Sequence, residues 1–333
     1  MVSVAVLSAS EAQGARSILT RVATILAGTT SGLLSFDPRG GQQPPQLEGR
    51  EVGAVAPAAW TRLWAIVDRR EIWRTDEDGR WSVVASLDGE PGGEDLHALC
   101  LADTRANHPD GILVGASRAR LFRVTENQTV EPVEGFASAP DRDRWYTPWG
   151  APPDVRTISE DGESVFVNVH VGGVLRSRDE GQTWHPTIDI DADVHRVVTG
   201  AGRVYAAGAY GLSMSRDAGE TWRVLTAGLH ATYCRSVALC GTSVLLSASS
   251  GPGRGRAALY RSGLEAAAFE RCRDGLPEWF EGNIDSLCLD ALPDGSLAAF
   301  ATEAGDLYAS ADQGGSWTQV AAGLRIHCVL TLP

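Results

Sequence analysis

Three segments of the chain repeat one eight-residue pattern. They are Ser177-Arg178-Asp179-Glu180-Gly181-Gln182-Thr183-Trp184, Ser215-Arg216-Asp217-Ala218-Gly219-Glu220-Thr221-Trp222 and Ser310-Ala311-Asp312-Gln313-Gly314-Gly315-Ser316-Trp317. The spacing has a physical reading. Ser and Asp side chains bond local backbone and close a turn. The glycine takes the left-handed backbone position that other residues resist. The Trp that follows is expected to drop into the seam between neighbouring sheets. Each segment is therefore a hairpin connector, and none of its residues is assigned chemistry. A degenerate copy, Thr75 to Trp81, keeps Gly79 and Trp81 but is one residue shorter. Self-similarity of this kind marks a repeat architecture.

A longer unit surrounds the pattern: an apolar first strand, a second strand, a Gly-containing turn, and a third strand leading into the hairpin. In one unit these are Val194–Val198, Val204–Ala207, Tyr210–Gly211 and Leu212–Ser215. Short alternating strands without helical periodicity predict an all-β chain. Four-stranded units of this length predict the blades of a β-propeller. First strands begin near Val52, Leu96, Val155, Val194, Cys234, Ile284 and Ile326, which makes seven blades. Six is the alternative, if 50–135 forms one distorted blade. The last strand, Ile326 to Leu332, has no second strand after it. The strands Val22–Ala27 and Leu33–Phe36 have no first strand before them. The two ends are expected to complete one blade and close the ring, which removes the open sheet edges. The propeller is expected over 20–333, with 1–19 a flexible leader or an outer strand.

Charge narrows the partners. A net charge of −13 argues against nucleic acid and against an anionic membrane. No apolar run reaches the roughly 18 residues of a membrane span. Met1 to Ser10 lacks a basic start, and the first basic residue is Arg16, so a signal peptide is not expected. The six cysteines form no CxxC pair. Cys100, Cys240, Cys288 and Cys328 lie in apolar runs and read as small buried residues of a reducing, cytoplasmic compartment. Cys234 lies closer to the candidate site.

Aligning the first strands places one residue per blade two positions before a core Val, Leu or Ile. These residues are Gly53, His97, Arg156, His195, Arg235, Asp285 and His327. Equivalent positions in a propeller ring the mouth of the central channel. The turns after the second strands share that face and bring Arg69, Arg70, Arg118, His170, Tyr210, Arg254, Arg256 and Glu303. The long loop Ala137 to Asp154 adds Trp145, Tyr146 and Trp149. Other loops bring His230, Tyr233, Glu278, Trp279 and Phe280. Aromatic side chains over a polar floor are how small-ligand pockets are made. His185 and His108 read as surface residues.

Three readings of the ring stand. His97, His195, His327 and Asp285 could hold one divalent transition metal, Zn, Fe, Mn or Cu, and serve catalysis through it. In that case the metal is the Lewis acid and Asp285 a fourth ligand or base. Arg156 and Arg235 could instead grip a carboxylate or phosphate, with histidines as donors or acid–base groups. The third reading is a solvated polar channel. In blades without the repeated hairpin the register can slip, and Cys234 would then replace Arg235.

The three Trp-ended hairpins, and the run Gly172 to Trp184, resemble those of the WD40/YVTN/BNR-like family of Asp-box propellers, related to sialidases and sortilin. The resemblance covers 20–333 and is strongest over 150–225. It implies the fold. It implies function less directly, because members include sialidases, other glycosidases, sorting receptors and photosystem assembly factors. Sialidases have an Arg-Ile-Pro motif, an arginine triad and a Tyr–Glu pair. Here Arg325-Ile326-His327 is C-terminal and lacks the proline, so a classical exo-sialidase is not expected. A glycosidase using Asp285 and Glu303 stays open, as does a non-catalytic scaffold for a protein partner. The expectation carried forward is a small polar or anionic ligand at the channel mouth, held by the ring with His170, Tyr210, Trp145, Tyr146, Trp149 and His230.

Overall fold

The computed structural model describes residues 23–58, 62–90, 96–103, 111–125, 128–253 and 255–333. The leader assigned to 1–19, together with His108 and Arg254, lies outside them. The chain first forms β1 (Thr24–Thr29) and β2 (Gly32–Phe36). Six sheets follow in sequence, each of four antiparallel strands in chain order. The first runs through β3 (Val52–Ala58), β4 (Arg62–Val67), β5 (Glu71–Thr75) and β6 (Trp81–Ser86). The second runs through β7 (Ala98–Asp103), β8 (Gly111–Ala116), β9 (Arg120–Thr125) and β10 (Val130–Pro132). The third has β11 (Val155–Glu160), β12 (Val165–Val169), β13 (Gly173–Ser177) and β14 (His185–Pro186). The fourth has β15 (Val194–Gly200), β16 (Arg203–Gly208), β17 (Gly211–Ser215) and β18 (Arg223–Leu225). The fifth has β19 (Val237–Cys240), β20 (Ser243–Ala248), β21 (Arg256–Gly263) and β22 (Glu270–Arg271), with β23 (Phe280–Glu281) added on β21. The sixth has β24 (Leu289–Ala291), β25 (Ala298–Ala301), β26 (Leu307–Ser310) and β27 (Thr318–Ala321). The last strand, β28 (Ile326–Leu332), pairs with β1 in the order β2-β1-β28. The chain is a seven-bladed β-propeller closed by its own two ends. No helix among the described residues is long and apolar enough to cross a membrane.

The second strand of each blade is covered by neighbouring blades on both faces. That is why β8, β12 and β20 read as nearly unbroken apolar runs rather than alternating ones. At the closing seam Gly28 admits no side chain. A Cβ there would sit 2.5 Å from Cys328 Sγ and 2.6 Å from the Val52 carbonyl oxygen. All six cysteines are buried free thiols, and burial pushes those of Cys100, Cys234 and Cys328 up to about 12.

The repeated hairpins close as their spacing predicts. In each, the Ser hydroxyl donates to the Asp carboxylate and accepts from the Gly N–H. The Asp then accepts from the backbone N–H and hydroxyl of the Ser or Thr before the Trp. Gly181, Gly219 and Gly314 have φ of 87°, 86° and 83°. Trp184 and Trp317 are buried and donate to the Gly181 and Gly314 carbonyls. The hairpins join third to fourth strands. In an up-and-down blade that puts them on the face opposite the loops that lead into the first strands.

Asp217 gives a pH test of this turn. Bonds from the Thr221 hydroxyl and N–H, with Ser215, hold its carboxyl down at about 2. A depressed folded-state value contributes stability above the ordinary range, and that contribution is lost as pH falls through the folded value. The melting-temperature gap between the wild type and Asp217→Ala should be constant above about pH 5 and shrink towards about pH 2. A gap that does not change with pH would assign the effect to the hydroxyl geometry alone.

Candidate functional site

The channel is lined by first strands, and each is bent where it enters. Pairing skips one residue at Gly53, Leu99, Arg156, His195 and His327. In the fifth blade one extra residue likewise falls between the Tyr233–Ser249 bridge and the Val237–Leu246 pair. A β-bulge leaves its residue unpaired and re-aims the side chain. The expected ring is therefore a ring of bulges.

One member differs. In the second blade the bulge is at Leu99, and His97 stands two residues earlier. His97-Ala98-Leu99-Cys100-Leu101 alternates so evenly that a slip of two keeps every side chain on its expected face. Pattern alone does not choose between the registers. Cys234 is fully buried in the core while Arg235 is re-aimed, so the slip considered there does not occur. In the sixth blade the strand opens into a turn, with the Cys288 N–H donating to the Asp285 carbonyl, and this carries Leu287 to the axis.

A cavity of about 440 Å³ fills the mouth. Glu51, Gly53, Arg69, Leu99, Asp154, Arg156, Asp285 and His327 are on its wall. Leu287 belongs to this wall and also to that of a second cavity of about 280 Å³, further along the channel. Arg235 is spent on carboxylates. Its Nη1 lies 3.4 Å from Asp285 and 3.1 Å from Glu303. By contrast, Arg69 and Arg156 have no ion pair among the described residues. Asp285 is hemmed in by protein, yet 47% of its side chain stays exposed because the cavity is open. Burial works to raise its carboxyl, but Arg235 and Arg156 outweigh this and hold it below the usual range. At Asp154 burial wins over Arg156, and the carboxyl is raised. Two carboxyls driven apart in this way can share the donor and acceptor roles of a proton transfer.

His195 does not face this cavity. It is 0% exposed, and its ring lies between His170, at a 5.8 Å centroid separation, and Tyr233, at 4.8 Å. The bulge at His195 is pinned from the third blade. Asn168 donates to the Val194 carbonyl, and Thr157 Oγ1 accepts from the Val197 N–H. His170 follows the second strand of that blade directly and stands 3.5 Å from Arg156 through Nδ1. Asp193 Oδ1 lies 3.1 Å from His170 Nε2 and 3.5 Å from His195 Nε2. Burial would raise the Asp193 carboxyl, but donation from His170, and from His195 when its ring is protonated, holds it far below its usual range. Burial, more than Arg156, lowers His170.

The remaining expected residues divide. Trp149 lies against His170 at 4.8 Å and is 62% exposed. Tyr146 reaches Asp191, and Tyr210 is 66% exposed. Trp145 is instead a core residue, packed on Phe136 and under Arg142, with no free face for a ligand. His230 has both nitrogens engaged, accepting from Tyr260 and donating to the Arg256 carbonyl. Among the described residues, His97, His327 and Asp285 join no metal-sized group; the one such group is His170, Asp193 and His195.

Asp193 was missed because it lies in a loop. Its signal was positional. Glu51, His97, Asp154, Asp193, Tyr233 and Arg325 each stand two residues before a bulge, forming a second polar tier in which three members are acidic.

No protein-family model matches the chain. No curated protein matches its sequence. Solved structures match its fold. A Bacteroides uniformis protein, provisionally described as a 6-phosphogluconolactonase, superimposes with a TM-score of 0.61 at 14% identity, over 93% of this chain and 99% of that one. YCF48 bound to D1 peptide gives 0.57 at 13%, over 84% and 90%. A GH74 xyloglucanase of Xanthomonas campestris gives 0.58 at 17%, over 89% of this chain and 46% of that one. At these identities the likeness is one of fold.

Proposed function

We propose that the protein binds a small, hydroxyl-rich molecule carrying an anionic group in the mouth cavity. One observation carries the reading: Arg69 and Arg156 share the wall of a cavity of about 440 Å³, and neither has an ion pair among the described residues. Arg156 and Arg69 take the anionic group. Asp154, Asp285 and His327 meet hydroxyls, each of which both donates and accepts. The volume lies in the range of small-molecule sites. Sugar acids and sugar phosphates are the first class to test, with neutral oligosaccharides as the contrast. Thermal shift and calorimetry should find a ligand among the first two. Arg156→Ala should weaken it by about 10–100-fold, the worth of a hydrogen bond to a charged group. Binding that is indifferent to both Arg156→Ala and Arg69→Ala would overturn the reading.

A second reading has one observation in its favour. Tyr146, Trp149 and Tyr210 are among the few exposed large apolar side chains, and all lie on the mouth face. Exposed aromatics of this kind suit a docked peptide. The superimposable YCF48 is a protein bound to a peptide. A pull-down whose capture is lost on Trp149→Ala and Tyr210→Ala together, but not on Arg156→Ala, would favour it.

A further inference from the structure

We propose that His170, Asp193 and His195 bind one divalent transition ion, with zinc the first candidate. The site does not depend on the ligand reading and uses one residue of the original ring.

Three observations carry it. The first is distance. Bonds of 2.0–2.1 Å to a tetrahedral zinc place neighbouring ligand atoms about 3.3–3.4 Å apart. The two measured separations from Asp193 Oδ1, 3.1 and 3.5 Å, bracket that edge. All three ligand atoms lie within 4.8 Å of one another.

The second is the tautomer of His195. Its Nδ1 lies 2.8 Å from the Cys234 carbonyl oxygen, which can only accept. In the neutral ring the proton is therefore on Nδ1, and Nε2 presents a lone pair towards Asp193. A backbone carbonyl that fixes the far nitrogen is how metal-binding histidines are commonly held.

The third is lack of satisfaction. His195 Nε2 and Asp193 Oδ1 are buried atoms without an aligned hydrogen-bond partner among the described residues. Two acceptors facing each other at 3.5 Å repel. A cation between them removes that cost. Two imidazoles and one carboxylate suit zinc, iron or cobalt rather than calcium or magnesium. Asp193 is 20% exposed, which leaves a side from which a fourth ligand can approach.

Arg156 opposes the ion. A metal on His170 Nε2 puts the proton on Nδ1, and two donors then face each other across 3.5 Å. Arg156 must turn towards the cavity as the ion binds. Removing its charge should tighten binding by about tenfold, the effect of one unit charge some 7 Å from a divalent ion in a water-like medium.

The test is titration of untagged, metal-free protein with Co²⁺, followed by its visible absorption, and with Zn²⁺ by calorimetry. One Co²⁺ per chain, with the intense bands of a four-coordinate ion, is expected. His170→Ala and Asp193→Asn should weaken uptake by about 100-fold or more, and Arg156→Ala should strengthen it. The exposed His185→Ala should change nothing. His195 is deeply buried, so its Ala variant is informative only where circular dichroism shows native structure; the wild type and His170→Ala decide without it. Wild-type protein that takes up neither ion at neutral pH overturns the proposal. So does uptake that survives His170→Ala but is lost in His327→Ala.

Discussion

A chain ending at Arg325 is expected to show no cooperative unfolding transition. β28 pairs with β1 from Thr24–Leu332 to Thr29–Ile326 and forms the inner strand of its blade. Removing it exposes the edge of β1 and takes the buried Cys328 and Val329 out of the core. It also takes Thr331 from Asp290, which accepts from that residue's N–H and hydroxyl at 2.8 Å each. Blades pack through their neighbours, so an open ring leaves two flanks uncovered rather than one. Near-ultraviolet dichroism and a thermal scan should show lost tertiary structure, and gel filtration should show association. A synthetic peptide spanning 325–333 should restore the transition by adding the missing strand. A truncated chain that melts within a few degrees of the full one would show that the seam contributes little.

The second large effect is expected at Trp184. Trp184→Ala should cost about 3–5 kcal/mol, the usual range for an aromatic removed from a core. For a chain of this length that corresponds to a fall of roughly 4–7 °C in melting temperature. The ring fills the seam between the second and third blades, edge-on to Phe136 at 5.2 Å, and its N–H is bonded. Trp222 occupies the equivalent position but is only partly buried, and its N–H has no partner among the described residues. Trp222→Ala should cost about 1–2 kcal/mol. The inequality between the two is the sharper check. Equal losses would show that the hairpin, not the burial, determines stability. Neither change should alter ligand or Co²⁺ binding, because the hairpins lie on the opposite face.

The seven blades and their closure were legible because they are periodic. A Ser, an Asp, a Gly and a Trp at set spacing define a turn without reference to anything distant. The ring positions were legible wherever one register alone suited the pattern, as at Arg156 and His195, whereas Arg235 stayed open to a slip of one. The pattern failed at His97, where a shift of two residues leaves the alternation intact. Which way a re-aimed side chain points was not legible at all. His195 and His327 occupy the same position in their blades, yet one is sealed between His170 and Tyr233 and the other lines the mouth cavity. The difference depends on neighbours from other blades. Trp145 looked like Trp149 in a proline-flanked run without period, and Phe136 with Arg142 draws it into the core. Asp193 and Asp154 were hidden for a related reason. They belong to loops, where nothing repeats except the distance to the next bulge.

Leu287 gives the mouth a direction. It stands in the wall between the two channel cavities, carried there by the turn that interrupts the sixth blade. A propeller is often pictured as an open tube, but here the sixth blade sends a side chain across the axis to pack against the first and second blades. The mouth cavity and the one beyond it are therefore neighbouring rooms with Leu287 as a shared wall. A change of side chain at 287 is felt by both cavities at once.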